Sequence, residues 1–407
     1  MGRLELAWLL GAPSGVGEPA PGPVVIEERE PAKFMTALAA AAAGDGPVFL
    51  ADPAWGATER AALSACLGQA SSAPKGRGWL MIPSGGTSGR LKFARHDDET
   101  IAAAVRGFCA HFGVARVVCV GVLPLHHVSG LMAWMRAAMT GGEYVPWDWK
   151  RLEAGDRPGL PQDGAGCFLS LVPTQLQRLL ASDEAVAWLR EFQAIFIGGG
   201  PVWPELTDAA ASAALPISLS YGLTETAAMA AALRPAEFLL GERSSGMPLP
   251  HLHLSLTEEG LVRAAGASIY RGYYPDWSDA GECVTDDLGR FDGQGRLEIL
   301  GRSDALIITG GEKADPLEIE RALRASGEFA DVAVVGVPDP AWGRAVVACY
   351  PANQPAPNAA RVAAQLKGLA AFKRPRRYLA IADWPRNAQG KLNRNALAHL
   401  AEQLMRS

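Results

Sequence analysis

Two short clusters carry the residue types that handle phosphate. Ser84-Gly85-Gly86-Thr87-Ser88-Gly89-Arg90-Leu91-Lys92 follows the apolar run Trp79 to Ile82, so a small, hydroxyl-rich loop leaves a strand. Small residues let successive backbone N–H groups converge on an anion, and the hydroxyls of Ser84, Thr87 and Ser88 add donors. The loop is not a Walker A loop, because Gly-Lys-Ser/Thr is missing, and a ligand-free glycine turn is the plain alternative. The second cluster, Tyr221-Gly222-Leu223-Thr224-Glu225-Thr226, follows the apolar stretch Ile217 to Leu219. Thr224 and Glu225 then stand at a strand's C-terminal end, where open α/β sheets bind ligands. A carboxylate there suits Mg²⁺ held together with nucleotide phosphates; a solvated Glu in a turn is the alternative.

With both clusters in view, the chain resembles the adenylate-forming superfamily of acyl-CoA synthetases, luciferases and peptide-synthetase adenylation domains. The resemblance covers most of the chain. It implies that Ser84, Gly85, Gly86, Thr87, Ser88, Gly89 and Lys92 grip the ATP phosphates, and that Thr224 and Glu225 contact phosphate and Mg²⁺. Tyr221 and Gly222 belong to the same nucleotide-binding segment, and Gly199, Gly200 and Pro201 match the turn whose backbone lines the adenine pocket. In Thr285-Asp286-Asp287-Leu288-Gly289, Asp287 falls at the carboxylate that holds the ribose hydroxyls, with Arg302 assisting. Asp304 falls at the interdomain hinge, and Thr309 to Lys313 at a loop lining the thiol's path. Lys391, in Pro385-Arg386-Asn387-Ala388-Gln389-Gly390-Lys391, falls at the adenylation lysine. ATP, Mg²⁺ and coenzyme A are the implied cofactor set.

The chemistry independently accommodates such a lysine. When a carboxylate attacks the α-phosphorus, negative charge builds on the phosphate oxygens and the departing pyrophosphate, and one long cation on a loop can stabilise it. The basic run Lys373, Arg374, Arg376 and Arg377 either meets coenzyme A phosphates or is a solvated basic face.

The acid side rests on Leu123-Pro124-Leu125-His126-His127-Val128-Ser129-Gly130-Leu131. His127 matches the family's usual His, which gates the acid, and His126 stands where an aromatic is common. Together with Ser170 to Leu180 and Tyr221 to Thr226, this segment looks most like the o-succinylbenzoate-CoA ligase branch, which serves menaquinone and phylloquinone biosynthesis. Its acid carries two carboxylates, one reacting and one recognised by a cation or hydroxyls. His127, Ser129, Arg136 and Thr226 are the candidate substrate contacts, and Arg136 is the candidate for the second carboxylate, although it can equally be a snorkelling surface residue. Alternatives are a ligase of the same mechanism for another aryl or medium-chain acid, and a catalytically silent nucleotide-binding relative.

These residues need a scaffold. Short β-branched runs (Val117 to Val120, Phe168 to Val172, Ile195 to Ile197, Ile217 to Leu219) alternate with helical segments such as Thr174 to Leu180 and Ala185 to Phe192. That alternation predicts an α/β fold: a large N-terminal domain, residues 1–302, of mixed and parallel sheets layered with helices. A small mobile α+β domain, 303–407, follows, with a helix opening at Pro316. The first eighty residues read as scaffold, fewer than the superfamily usually has before its phosphate loop.

Composition narrows the partners. The 407 residues are 49% hydrophobic and 20% charged, with a net charge of −5, which gives no basic footprint for nucleic acid. Six cysteines without CxxC pairing point to a reducing compartment, and the run Leu4 to Leu10 is too short to span a bilayer. A cytoplasmic protein is expected, with a homodimer possible at the family level. His251 and His253 share a strand face in this reading but have no third metal ligand nearby.

Overall fold

The computed structural model describes residues 2–12, 22–74, 76–85, 91–161, 166–386 and 392–406. The chain divides into two compact units, Met1–Thr285 with Gly289–Ile299, and Asp286–Leu288 with Leu300–Ser407.

The large unit is built on a seven-stranded sheet. Its order is Met247–Pro248, Ala228–Ala232, Ile217–Leu223, Ala194–Ile197, Gly166–Leu171, Val117–Gly121 and Glu143–Pro146. From Ile217–Leu223 to Glu143–Pro146 every pairing is parallel. Parallel strands covered on both faces read as unbroken apolar runs, and the side-chain period of two sends alternate residues to opposite faces. Val118, Val120, Leu169, Leu171, Ile195 and Ile197 pack with residues of helices Pro173–Leu179 and Asp183–Leu189. Their alternates Val117, Cys119, Phe168 and Phe196 pack with Phe108 and Ala133, from helices Asp98–Phe112 and Val128–Met139. The helix ends follow local rules: Asp97 caps the first of these through the Thr100 N–H, and Gly113 closes it at φ 67°.

A second sheet, ordered Val24–Ile26, Val48–Leu50, Leu80–Gly85 and Leu91–His96, contains strands from the segment read as scaffold. Its last pair is an antiparallel hairpin whose register sets Ser84 opposite Lys92. A third sheet runs Leu252–Leu256, Leu261–Gly266, Glu282–Phe291 and Leu297–Arg302.

The small unit has a three-stranded sheet of Ala333–Asp339, Gly343–Pro351 and Arg377–Ile381. Helix Pro316–Arg324 starts at the expected proline and buries Ile319 and Leu323. The mixed α/β architecture, one large and one small body, matches the expectation.

Three local readings change. Strand Ile217–Leu223 runs four residues beyond the apolar run, because antiparallel pairing with Ala228–Ala232 extends it. The sequence reads as one helix from near Ala359 to Leu369, but helix Ala359–Gln365 gives way to a 3₁₀ turn over Leu366–Gly368. His251 precedes strand Leu252–Leu256, and its ring occupies the space a Cβ at Gly107 would need, 1.8 Å from Nδ1, so it shares no strand face with His253.

Candidate active site

The core of the site is the turn that ends strand Ile217–Leu223. Thr224–Thr226 form a single 3₁₀ turn, after which Ala227 (φ 54°) and Ala228 (φ 76°) both lie in the left-handed region. Each such alanine costs roughly 1–2 kcal/mol, so neighbours must hold the shape. Thr226 Oγ1 donates to the Ala228 carbonyl at 2.8 Å and lies 3.1 Å from both the Leu223 N–H and carbonyl, and Ser268 Oγ donates to the Thr226 carbonyl at 3.0 Å. With 0% exposure, the Thr226 side chain shapes the turn and is not presented to a substrate, which corrects that expectation. Gly222 is required within the strand, because a Cβ there would stand 1.8 Å from the Ala228 carbonyl oxygen.

His96 holds the turn from below. Its Nε2 sits 2.8 Å from the Thr224 carbonyl oxygen, which can only accept, so Nε2 carries the proton; Nδ1 lies 3.1 Å from Thr100 Oγ1. Burial pushes the His96 pKa down to about 4, outweighing the bond to Thr224, and the ring is neutral at neutral pH.

Glu225 then points to the hairpin. Its Oε1 accepts from Ser84 Oγ at 2.8 Å and from the Tyr273 phenol at 2.6 Å. Tyr273 is placed by a bridge to Ala94 and by the Tyr274 N–H donating to the Phe93 carbonyl, while the Tyr270 N–H donates to the Glu225 carbonyl at 2.9 Å. Burial and the Glu225 carboxylate push the phenol's pKa up, so it remains a donor. Lys92 Nζ stands 5.0 Å from the centre of the Tyr273 ring. Ser84, Lys92, Thr224 and Glu225, far apart in sequence, are thus brought together. Tyr273 joins them unannounced: its only signal was the Arg271-Gly272-Tyr273-Tyr274-Pro275 run. No donor among the described residues reaches Glu225 Oε2, so one carboxylate oxygen remains for a hard cation that takes its other ligands from phosphate and water. The residues fit Mg²⁺.

Tyr221 is buried, with its phenol 3.4 Å from Thr285 Oγ1. Beyond strand Ala194–Ile197, Gly199 takes φ +77° and a Cβ at Gly200 would meet open space, so the backbone of Gly199, Gly200 and Pro201 can be approached closely.

The segment 123–131 follows strand Val117–Gly121. His127 occupies the N-cap of helix Val128–Met139, and its ring centre lies 4.3 Å from that of His126. Burial, reinforced by His126, pushes the His127 pKa down to about 3. His126 Nε2 faces Asp52 Oδ2 at 3.5 Å, a contact that the sequence did not announce. Ser129 and Arg136 lie seven positions apart on the same helix, on one face. Arg136 does not snorkel: it is 3% exposed, its guanidinium stacks 4.2 Å over the Phe108 ring, and its Nε has no partner. Burial lowers its pKa to about 10, so it stays charged at neutral pH, and no carboxylate among the described residues pairs with it.

In the small unit, Arg302 binds Asp287 Oδ1 at 3.1 Å, Asp304 Oδ1 at 2.8 Å, and Asp286 Oδ2 at 3.2 Å. Arg302 is thus shared by three carboxylates, of which Asp287 is the most buried. Asp304 sits in a 3₁₀ turn, Ser303–Ala305. Most of the basic run is engaged internally: Lys373 pairs with Glu318 at 2.6 Å, Arg374 donates to the Leu369 and Lys367 carbonyls, and Arg376 stacks on Trp342. Gly86, Thr87, Ser88, Gly89 and Lys391 lie outside the described residues. No helix among the described residues is long and apolar enough to cross a membrane.

Comparison with known proteins places this geometry. The chain matches the AMP-binding enzyme family over residues 24–274 and the AMP-binding enzyme C-terminal domain over 318–391. A 2-succinylbenzoate–CoA ligase from Enterococcus faecalis is 30% identical over 324 residues, covering 75% of this chain and 66% of that protein. One from Bacillus licheniformis is 31% identical over 336 residues, covering 77% and 68%. The chain thus spans about two thirds of the length of these curated relatives. Its fold is shared with o-succinylbenzoate CoA synthetase from Bacillus subtilis, solved with the acyl-adenylate intermediate OSB-AMP (TM-score 0.78, 21% identity, 97% of this chain and 91% of that one). From the matched segments, which take in the hairpin, the Glu225 turn and the small unit, the chain belongs to the AMP-binding enzyme family.

Proposed function

We propose that the chain is an ATP- and Mg²⁺-dependent carboxylic acid:coenzyme A ligase acting through an acyl-adenylate, with 2-succinylbenzoate as its acid. In the first half-reaction a carboxylate oxygen forms a bond to the α-phosphorus as the bond to pyrophosphate breaks. In the second, the thiol sulfur bonds to the acyl carbon, and AMP leaves.

Lys92 would present a cation to the phosphates, while Ser84, donating to Glu225 Oε1, would hold that carboxylate so that its Oε2 could meet the metal. Bound Mg²⁺ would supply neutralisation of phosphate charge. Lys391 is the proposed adenylation lysine, stabilising charge on the α-phosphate and departing pyrophosphate. Asp287 with Arg302 would hold the ribose, Gly199, Gly200 and Pro201 would line the adenine, His127 would gate the acid, and Asp304 would be the hinge between half-reactions.

Arg136 carries the choice of acid. A guanidinium buried on an aromatic ring, on the helix that His127 starts, with no carboxylate partner among the described residues, has a large unmet demand for an anion. The non-reacting carboxylate of 2-succinylbenzoate meets that demand, and the names of the curated relatives agree with it. The test incubates the protein with ATP, Mg²⁺, coenzyme A and a panel of acids, and identifies thioesters by mass spectrometry. 2-Succinylbenzoyl-CoA is the expected product; a thioester of a different acid alone would keep the chemistry and overturn the substrate.

A further inference from the structure

Asp52, His126 and His127 form a cluster that the adenylation chemistry does not use as a unit. Each offers one ligand atom, and the three atoms lie within 4.8 Å of one another. His127 Nε2 is buried without a hydrogen-bond partner, and His126, only 7% exposed, faces only Asp52 Oδ2, at 3.5 Å, through its Nε2. Asp52 is oriented by its other oxygen: Oδ1 accepts from the Ala54 N–H at 2.8 Å, which leaves Oδ2 facing His126. Such an outer bond fixes a carboxylate the way it is fixed around bound metals. Buried polar atoms without partners are uncommon enough to call for a ligand.

We infer that Asp52, His126 and His127 form a binding site for a divalent transition ion of the Zn²⁺ class, separate from the Mg²⁺ site at Glu225. Two imidazoles and one carboxylate are a three-ligand set that leaves a coordination position for water or substrate. Nitrogen donors favour Zn²⁺, Ni²⁺ or Co²⁺ over Mg²⁺, which prefers oxygen. Neighbouring ligands of a tetrahedral ion are roughly 3.3 Å apart, so small ring rotations close the site. The ion ties His127 to Asp52. Slowed acid activation by the bound ion rests on the acid-gate role proposed for His127; binding itself does not.

The full chain, free of chelator, is dialysed to equilibrium against Zn²⁺ alone, as wild type, Asp52→Asn and His126→Gln. Co²⁺ substitution of the wild type reads the donors. One Zn²⁺ per chain, at least about 10-fold weaker in both variants, with Co²⁺ d–d bands and no thiolate charge-transfer band, is expected. Absence of binding, equal binding by wild type and both variants, or a thiolate band would overturn the site, whatever acid the enzyme uses. Because the Co²⁺ spectrum needs only the wild type, a variant that fails to fold leaves the inference testable.

Discussion

The Tyr273 phenol donates to the same oxygen of Glu225 that Ser84 reaches, at 2.6 Å and 2.8 Å respectively. One carboxylate thereby gathers the end of a central strand, the hairpin of Leu80–Gly85 with Leu91–His96, and the segment after Ser268. The arrangement orients Oε2 before any ligand arrives, which removes an ordering cost from binding.

Tyr273→Phe keeps the ring and deletes this donor. Hydrogen bonds to charged groups contribute about 1.5–3 kcal/mol, so the Mg²⁺ concentration for half-maximal rate should rise about 10-fold or more. Initial rates over a Mg²⁺ series check this. Ser84→Ala acts on the same oxygen, and the double variant should fall short of the product of the two single effects.

Arg136→Gln removes the buried cation while keeping much of its volume. The kcat/KM for 2-succinylbenzoate should drop about 100-fold, the loss of a charge-assisted pair, whereas an aryl monocarboxylate should be affected little. Equal losses for both acids would assign Arg136 to packing on Phe108.

Stability should fall with acid. His96, His127 and His251 have pKa values lowered by burial from 6.5 to about 4, 3 and 4. The unfolded chain therefore binds more protons between about pH 6.5 and those folded values, and stability rises with pH through that window. The neutral-ring contribution is complete above 6.5 and is lost as pH falls towards 4 and 3. Thermal midpoints measured from about pH 7 to about pH 5 should decline, with a shallower slope in His96→Gln.

Arg394 Nη1 and Nη2 meet Glu320 Oε1 and Oε2 at 2.6 and 2.8 Å, and Glu320 is 0% exposed. Arg394→Ala leaves a buried carboxylate without its cation, and loss of one partner of such a pair costs about 3–5 kcal/mol. Chemical unfolding should show the small unit losing structure at lower denaturant, and Glu320→Gln in the Arg394→Ala background should recover part of the loss.

The scaffold was legible where one local rule dominated. Unbroken runs such as Ile195 to Ile197 announce a doubly covered parallel strand, and Pro316 announces a helix start. The site was legible where chemistry sits in contiguous motifs, as at Ser84 and Glu225. Tyr273 was not, because its role depends on a contact 48 positions away, and a tyrosine beside Gly and Pro carries no sign of its partner. Asp52 was hidden for the same reason inside apparent scaffold. Nor does alanine at 227 and 228 announce positive φ, since glycine is the residue that does so; local hydrogen bonds from Thr226 and a tertiary one from Ser268 hold it.

The most direct test of the central claim is acid-dependent exchange between ATP and labelled pyrophosphate without coenzyme A, in wild type and Lys391→Ala. Exchange with 2-succinylbenzoate, falling about 10²- to 10³-fold in the variant, is the predicted result; exchange equally strong in Lys391→Ala, or none with 2-succinylbenzoate while another acid supports it, would contradict the account.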